Sequence, residues 1–121
     1  MPVNWIDKIK ISDVTDGLSN TLLIGEMHVP LGKIGQGGQD AFIFNGDVVY
    51  NSTRVGGPTV PIVQNVRDES TGLVSWGSWH PGVCNFALSD GSVRSLANTI
   101  DTETLGYLCN RKEGGVTSLN D

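Results

Sequence analysis

Basic residues in excess, long apolar runs and cysteines are what this sequence has least of, and each shortage removes a class of function. Eight Lys and Arg stand against 13 Asp and Glu, a formal net charge of -5. Nucleic acid and anionic membrane surfaces are recognised through a basic footprint, so neither is an expected partner. No apolar stretch approaches the ~20 residues of a membrane-spanning helix, and no signal peptide precedes Pro2. Cys84 and Cys109 are too few for a disulfide framework. Two alternatives stay open for them: a single bridge from the hairpin described below to the C-terminal segment, or a buried small apolar residue and an unrelated thiol. Only two His are present, His28 and His80, so no imidazole is to spare for a metal site.

What the chain has in quantity is glycine, 16 residues, together with many Val, Ile and Thr, while charged residues make up only 17%. That composition favours a β-rich fold with frequent turns. A chain of 121 residues makes one domain, 1–121, which buries roughly two-thirds of its unfolded surface without staples. The expected class is α+β: a mainly antiparallel sheet of about four to six strands, one short C-terminal helix and a long loop-rich middle over about residues 31–75.

The stretch with the clearest pattern is Trp76 to Asn98, WGSWHPGVCNFALSDGSVRSLAN. Asp90-Gly91 between alternating apolar letters is a strong short-range hairpin signal. A two-residue turn would set Ser89 opposite Ser92, Leu88 beside Val93, Phe86 beside Ser95 and Cys84 beside Ala97. The other face would then carry Asn85, Ser89, Ser92 and Arg94. A slip of one residue exchanges the faces, so the turn decides the register.

Nine residues separate His80 from Asp90-Gly91. That spacing resembles the H-X9-DG signature of the prepilin-like DUF1559 proteins, also called SBP_bac_10, of planctomycete type. Residues Asp16-Gly17-Leu18-Ser19-Asn20-Thr21-Leu22-Leu23-Ile24-Gly25-Glu26 are similar to the same family's DGxSNTxxxGE pattern, and the two stretches occur in the family's order. The resemblance implies the C-terminal globular head of a type II secretion pseudopilin-like protein: extracytoplasmic, in the periplasm or at the cell surface, and not an enzyme. It also implies partners that are proteins, or self-assembly through a pilin-like system, with a parent protein anchored by an N-terminal apolar helix missing here. On this reading Asp16, Gly17, Ser19, Asn20, Glu26, His80, Pro81, Gly82, Asp90 and Gly91 are structural motif residues. Besides the missing helix, the sequence departs from the pattern at Val83, where the family usually has a second glycine after His-Pro-Gly, and mildly at Trp76, where it commonly has Phe.

Along the chain, Met1 to Lys10 fits a short helix or a strand start equally well. Asn20 to Val29 reads as a strand covered on both faces, with Leu22, Ile24, Glu26 and His28 on one side and Leu23, Met27 and Val29 on the other. Pro30 ends it. In the middle, Ala41 to Phe44 and Asp47 to Tyr50 make a second hairpin around Asn45-Gly46. Asn51-Ser52-Thr53 fits a glycosylation acceptor but is a common triplet. Near the end, Asp101 is an N-cap, Glu103 lies in the first turn, Leu105, Leu108 and Cys109 form one stripe, and Gly114-Gly115 closes the helix.

Three constellations could carry chemistry. Asp13, Asp16, Ser19 and Asn20, with Asp90, offer hard oxygens of the kind Ca2+ takes, although the spacing is not that of an EF-hand; the same side chains equally serve as backbone caps. No other cofactor is expected. Glu26, His28 and His80 could form an open Zn2+ site of a metal-dependent hydrolase. The alternative is that His80 pairs with Glu26 or Asp90 and locks the turn before the hairpin, with His28 an exposed strand residue. Trp76 and Trp79 could stack on a sugar ring or a partner's apolar patch, making a small carbohydrate- or ligand-binding module, or could cover the end of the sheet. No nucleophile elbow surrounds Ser78, Ser89 or Ser92.

Overall fold

The computed structural model describes residues 9–37, 40, 53–70 and 74–112. Its centre is a three-stranded antiparallel sheet in the order β1-β2-β3, comprising β1 (Leu22–Gly25), β2 (Val83–Leu88) and β3 (Val93–Ala97). One helix, α1 (Thr102–Cys109), follows β3. Together they make the α+β class the composition favours.

β2 is the spine because its letters alternate cleanly. Cys84, Phe86 and Leu88 are buried, and the residues between them are half-buried. With Leu22, Ile62, Leu96, Leu105 and Leu108 they form one apolar core, against which Trp76, Ile100 and Cys109 pack in part. Side chains like these stabilise by about 1.5–3 kcal/mol each when taken fully out of water.

The hairpin lies where the Asp90-Gly91 signal puts it, but its register is shifted by one residue. The pairs are Ala87↔Val93, Phe86↔Arg94, Asn85↔Ser95, Cys84↔Leu96 and Val83↔Ala97. The loop holds three residues, Ser89, Asp90 and Gly91: Leu88 N donates to Ser92 O at 2.8 Å, and Gly91 N to Leu88 O at 3.0 Å. Only its third position needs the left-handed region, met by Gly91 at φ 85. Asp90 spends its carboxylate on the amide and hydroxyl of Ser92, at 2.8 and 2.6 Å, and these bonds hold its carboxyl below the ordinary pKa. The extra loop residue turns β3 over, so Leu96 faces the core while Val93 is 72% exposed. A Cβ at Gly91 would meet nothing within 4 Å, so Gly91→Val tests backbone strain alone. We expect a loss of more than ~1 kcal/mol in urea unfolding; unchanged stability would exclude a left-handed residue 91.

Two further expectations are corrected. β1 is an edge strand, not a strand covered on both sides, and a bulge between Leu22 and Ile24 leaves Leu23 and Ile24 63% and 64% exposed. Among the described residues the sheet has three strands. Met27↔Trp76, Val55↔Ser75, Gly57↔Val60 and Val63↔Gly77 are isolated bridges, because Gly56, Gly57, Pro58 and Pro61 interrupt any longer ladder. His28 is fully buried, not exposed: the strand stops at Gly25, and the imidazole Nε2 lies 2.8 Å from the Asp68 carbonyl oxygen.

The described part of the middle is loop-rich as expected, with isolated bridges only, yet it sends Ile62 into the core at 1% exposure. The hairpin expected at 41–50, residues 1–8, Asn51-Ser52 and Gly114-Gly115 lie outside the described residues. α1 starts as expected, with Asp101 Oδ2 accepting from Thr104 N at 2.9 Å and from its hydroxyl at 3.0 Å. It ends earlier than expected: Asn110 is extended, at φ -104 and ψ 146, and Arg111 and Lys112 lie beyond the last turn. There the Arg111 carbonyl accepts from Thr15 N and Asp16 N, tying the segment after the helix to the loop before β1.

Candidate functional site

The two motif stretches meet along β2. At one end the loop from Asp16 to Thr21 grips the hairpin turn. Gly17 takes φ 95, which lets a short 3-10 turn (Leu18–Asn20) form. Asn20 Nδ2 donates to Asp16 O at 3.3 Å and Thr21 Oγ1 to Gly17 O at 3.1 Å, fastening the turn on itself. Its outward carbonyls then accept from the hairpin: Ser89 N and Oγ donate to Thr21 O at 2.8 and 3.1 Å, and Asp90 N donates to Leu18 O at 3.1 Å.

Glu26 organises the other end. Its N–H donates to Asn85 O at 3.2 Å, continuing the β1–β2 ladder by one residue, but its own carbonyl accepts from Gly77 N at 3.1 Å instead. The Asn85 amide is left without its normal acceptor. The Glu26 side chain fills the gap, with Oε2 accepting from Asn85 N at 2.7 Å. The second oxygen, Oε1, lies 3.1 Å from His80 Nε2. Gly25 must be glycine for a related reason, because a Cβ there would come within 2.5 Å of the Phe86 ring and 2.8 Å of Trp76. The tripeptide His80-Pro81-Gly82 carries the chain into β2: Gly82 takes φ 74, the His80 amide donates to Ser78 Oγ at 3.1 Å, and that hydroxyl donates to Val83 O at 2.6 Å. Val83, in the place of the family's second glycine, is the first residue of β2 paired with Ala97, in extended backbone open to any residue.

The Glu26–His80 pairing weighed from the sequence is therefore present, with the His80 side chain 55% exposed. That exposure sets the relative energetics of the pair. Glu26→Ala should cost about 1–3 kcal/mol by orphaning the partly buried Asn85 amide. His80→Ala should cost about 0–1 kcal/mol, as exposed ion pairs do. Thermal unfolding of both variants checks the ranking, and a larger loss for His80→Ala would reverse the assignment.

The remaining candidates separate. His28 is turned into the interior toward Asp68, away from the exposed Glu26–His80 pair. Of the residues considered for Ca2+, Asp13 Oδ2 accepts from Lys10 N at 2.7 Å and Asp90 Oδ1 accepts from Ser92, while Asn20 donates to the Asp16 main-chain carbonyl and Ser19 is exposed. Among the described residues no three His, Cys, Asp or Glu side chains gather closely enough to hold a metal. Both cysteines are free thiols. Burial, reinforced by the charge of Glu26, pushes the Cys84 thiol up to about 12, which removes it as a nucleophile at neutral pH. Burial raises Cys109 as well, opposed by the nearby Trp76 indole.

The two tryptophans have parted roles. Trp76 meets Phe86 edge to face, with ring centroids 5.4 Å apart, and belongs to the core. Trp79 is 46% exposed, and its indole N–H donates to Val29 O at 2.8 Å, which fixes the ring. It walls an open cleft of about 510 Å³ that also presents Met27, Val29 and Ile34 beside Glu26 and His80. A larger cleft of about 640 Å³ lies between α1 and residues 9–14, where the Tyr107 hydroxyl already donates to Glu103 at 3.2 Å. The sequence assigns no site role to Asn85 or Thr21 and considers Ser78 only as a nucleophile. The Thr21 carbonyl and the Asn85 amide bond to Ser89 and to the Glu26 carboxylate far along the chain, so no local spacing announces them, whereas Ser78 bonds locally to Val83 O and the His80 amide.

The sequence profile of SBP_bac_10, described as a protein of unknown function (DUF1559), matches residues 2–103. No curated protein and no solved structure matches the chain.

Proposed function

The chain belongs to the DUF1559 family, and from that premise we propose that it is a non-enzymatic, extracytoplasmic head of a prepilin- or pseudopilin-like protein, acting through contacts with other proteins. The observation that carries this reading is the commitment of Glu26, whose two carboxylate oxygens serve the Asn85 amide and His80. The motif side chains are spent on joining distant backbone segments, which is what a scaffold asks of them. A carboxylate acting directly on a substrate as acid or base would instead keep an oxygen aimed at a substrate position. The test is the protein in its native cells: mass spectrometry of the mature N-terminus together with protease treatment of intact cells. A processed N-terminus and surface or periplasmic accessibility are expected. An unprocessed chain confined to the cytosol would overturn the reading.

A second reading is favoured by the Trp79 cleft. A fixed, half-exposed indole beside a carboxylate and an imidazole suits a sugar ring, whose apolar face stacks while its hydroxyls bond. Trp76 contributes nothing directly, being packed on Phe86. Intrinsic fluorescence during titration with a glycan panel tests it. Silence of the wild type, or unchanged binding in Trp79→Ala, would sink it.

A further inference from the structure

β3 lies at the side of the sheet away from β1, and the phase of the hairpin determines which of its backbone groups face outward. Leu88 N donates to Ser92 O at one end of the ladder, and Asn98 N donates to Gly82 O at the other. Bonded pairs alternate in an antiparallel ladder, so Arg94, opposite Phe86, and Leu96, opposite Cys84, turn their N–H and C=O toward β2. Val93, Ser95 and Ala97 turn theirs away. Among the described residues only one of those six groups is taken, the Ala97 carbonyl, which accepts from Ile100 N at 3.0 Å. The side chains of the same three residues are exposed.

Sheet edges are ordinarily blunted by Lys, Pro or a bulge. β1 carries such a bulge at Leu23. β3, VRSLA, has no Lys and no Pro, its one charge is the half-buried Arg94 on the core side, and it pairs with β2 without a register break. On the outer face the row Ile24, Ala87, Val93 runs across all three strands and stops at this edge, with Ile24 and Val93 64% and 72% exposed.

We propose that β3 is an assembly edge, at which a second copy of this chain adds its own β3 antiparallel about a two-fold axis at Ser95, doubling the sheet. That register brings the two Ser95 residues opposite each other and sets Val93 against the second copy's Ala97, so every outward N–H meets a carbonyl. The Ala97 carbonyl keeps a second lone pair for this bond. The same register sets Arg94 opposite the second copy's Leu96, not opposite another Arg94, which avoids facing like charges. The apolar row continues from Val93 onto the second copy's Ala97. Because the edge complements itself, the contact closes as a dimer and leaves no growing end. A strand this short makes a small interface, so the dimer is weak, dissociating at about tens to hundreds of micromolar.

Sedimentation equilibrium of the full chain across that range, with amide hydrogen exchange at low and high concentration, tests the assignment. A monomer–dimer equilibrium is expected, with Val93 and Ser95 amides slowed as the dimer forms. Ser95→Pro removes one outward N–H and none of those that bond β2, so it should abolish the dimer. Ser95→Ala loses the same hydroxyl contact with Asn85 but keeps the N–H, and should retain it. Val93→Lys, at an exposed site, should abolish it by an independent route if the proline variant folds poorly. A strictly monomeric wild type, a dimer without protection at residues 93 and 95, or a dimer that survives Val93→Lys would each overturn the proposal.

Discussion

Truncating Phe86 to alanine is expected to cost about 3–5 kcal/mol, the largest loss of any single core substitution in this chain. Phe86 is 1% exposed and sits in the middle of the central strand. Its ring meets Trp76 edge to face and covers Gly25, so its removal opens a cavity bounded by elements that cannot close independently. Trp76 is held by the bridge to Met27, and Gly25 by the ladder to β2. Neither can move inward without breaking backbone bonds, which keeps the cavity term near its full value. Domains of this size have about 5–15 kcal/mol in total, so the variant should stand close to unfolding at room temperature. Urea unfolding followed by tryptophan emission measures it, with Trp76 as the reporter. A loss below ~1.5 kcal/mol would mean that the site collapses easily and that the core is not centred on this ring.

The second large effect concerns a residue with no side chain. Gly25→Val should destabilise by about 1–3 kcal/mol or more, because overpacking forces side chains off their rotamers and shifts backbone. Two atoms of the Phe86 ring lie 2.5 Å from where the new Cβ would stand, and a ring atom of Trp76 lies at 2.8 Å. The ring has no free direction, being enclosed in the core. If the clash is with Phe86, the combination Gly25→Val with Phe86→Leu should lose less than the sum of the two single losses, since the smaller side chain vacates the space. Contacting residues are where additivity fails. A fully additive cycle would exclude the contact.

How much of this could be read from the letters depended on how local the determining contact is. The hairpin, the Asp101 cap and the Leu105–Leu108 stripe were legible because their signals span a few residues. The register was not, because Asp90-Gly91 serves a two-residue and a three-residue loop equally well, and the choice is made by Leu96 finding the core. The same holds for β1. Its apolar letters suggested cover on both sides, but the bulge at Leu23 and the place of β1 at the edge come from packing against β2 and α1. His28 is the clearest case: two letters from Glu26 in a strand pattern, it becomes buried because the chain leaves the ladder at Glu26 to meet Gly77. The Glu26–His80 contact was inferred from the family's letters and is present, but its reason, the missing acceptor for the Asn85 amide, is visible only in three dimensions.

The bonds between Thr21 and Ser89 join positions 68 apart. β2, β3 and α1 are consecutive in the chain, so they can form by short-range search, and β1 docks onto them only after a long excursion closes. The entropy of that closure grows logarithmically, and doubling the excursion adds only about 0.6 kcal/mol. Whatever the intervening segment does, its length is thermodynamically cheap to change, provided Ile62 still reaches the core. A genetic insertion there should slow the docking of β1 more than it lowers the melting point.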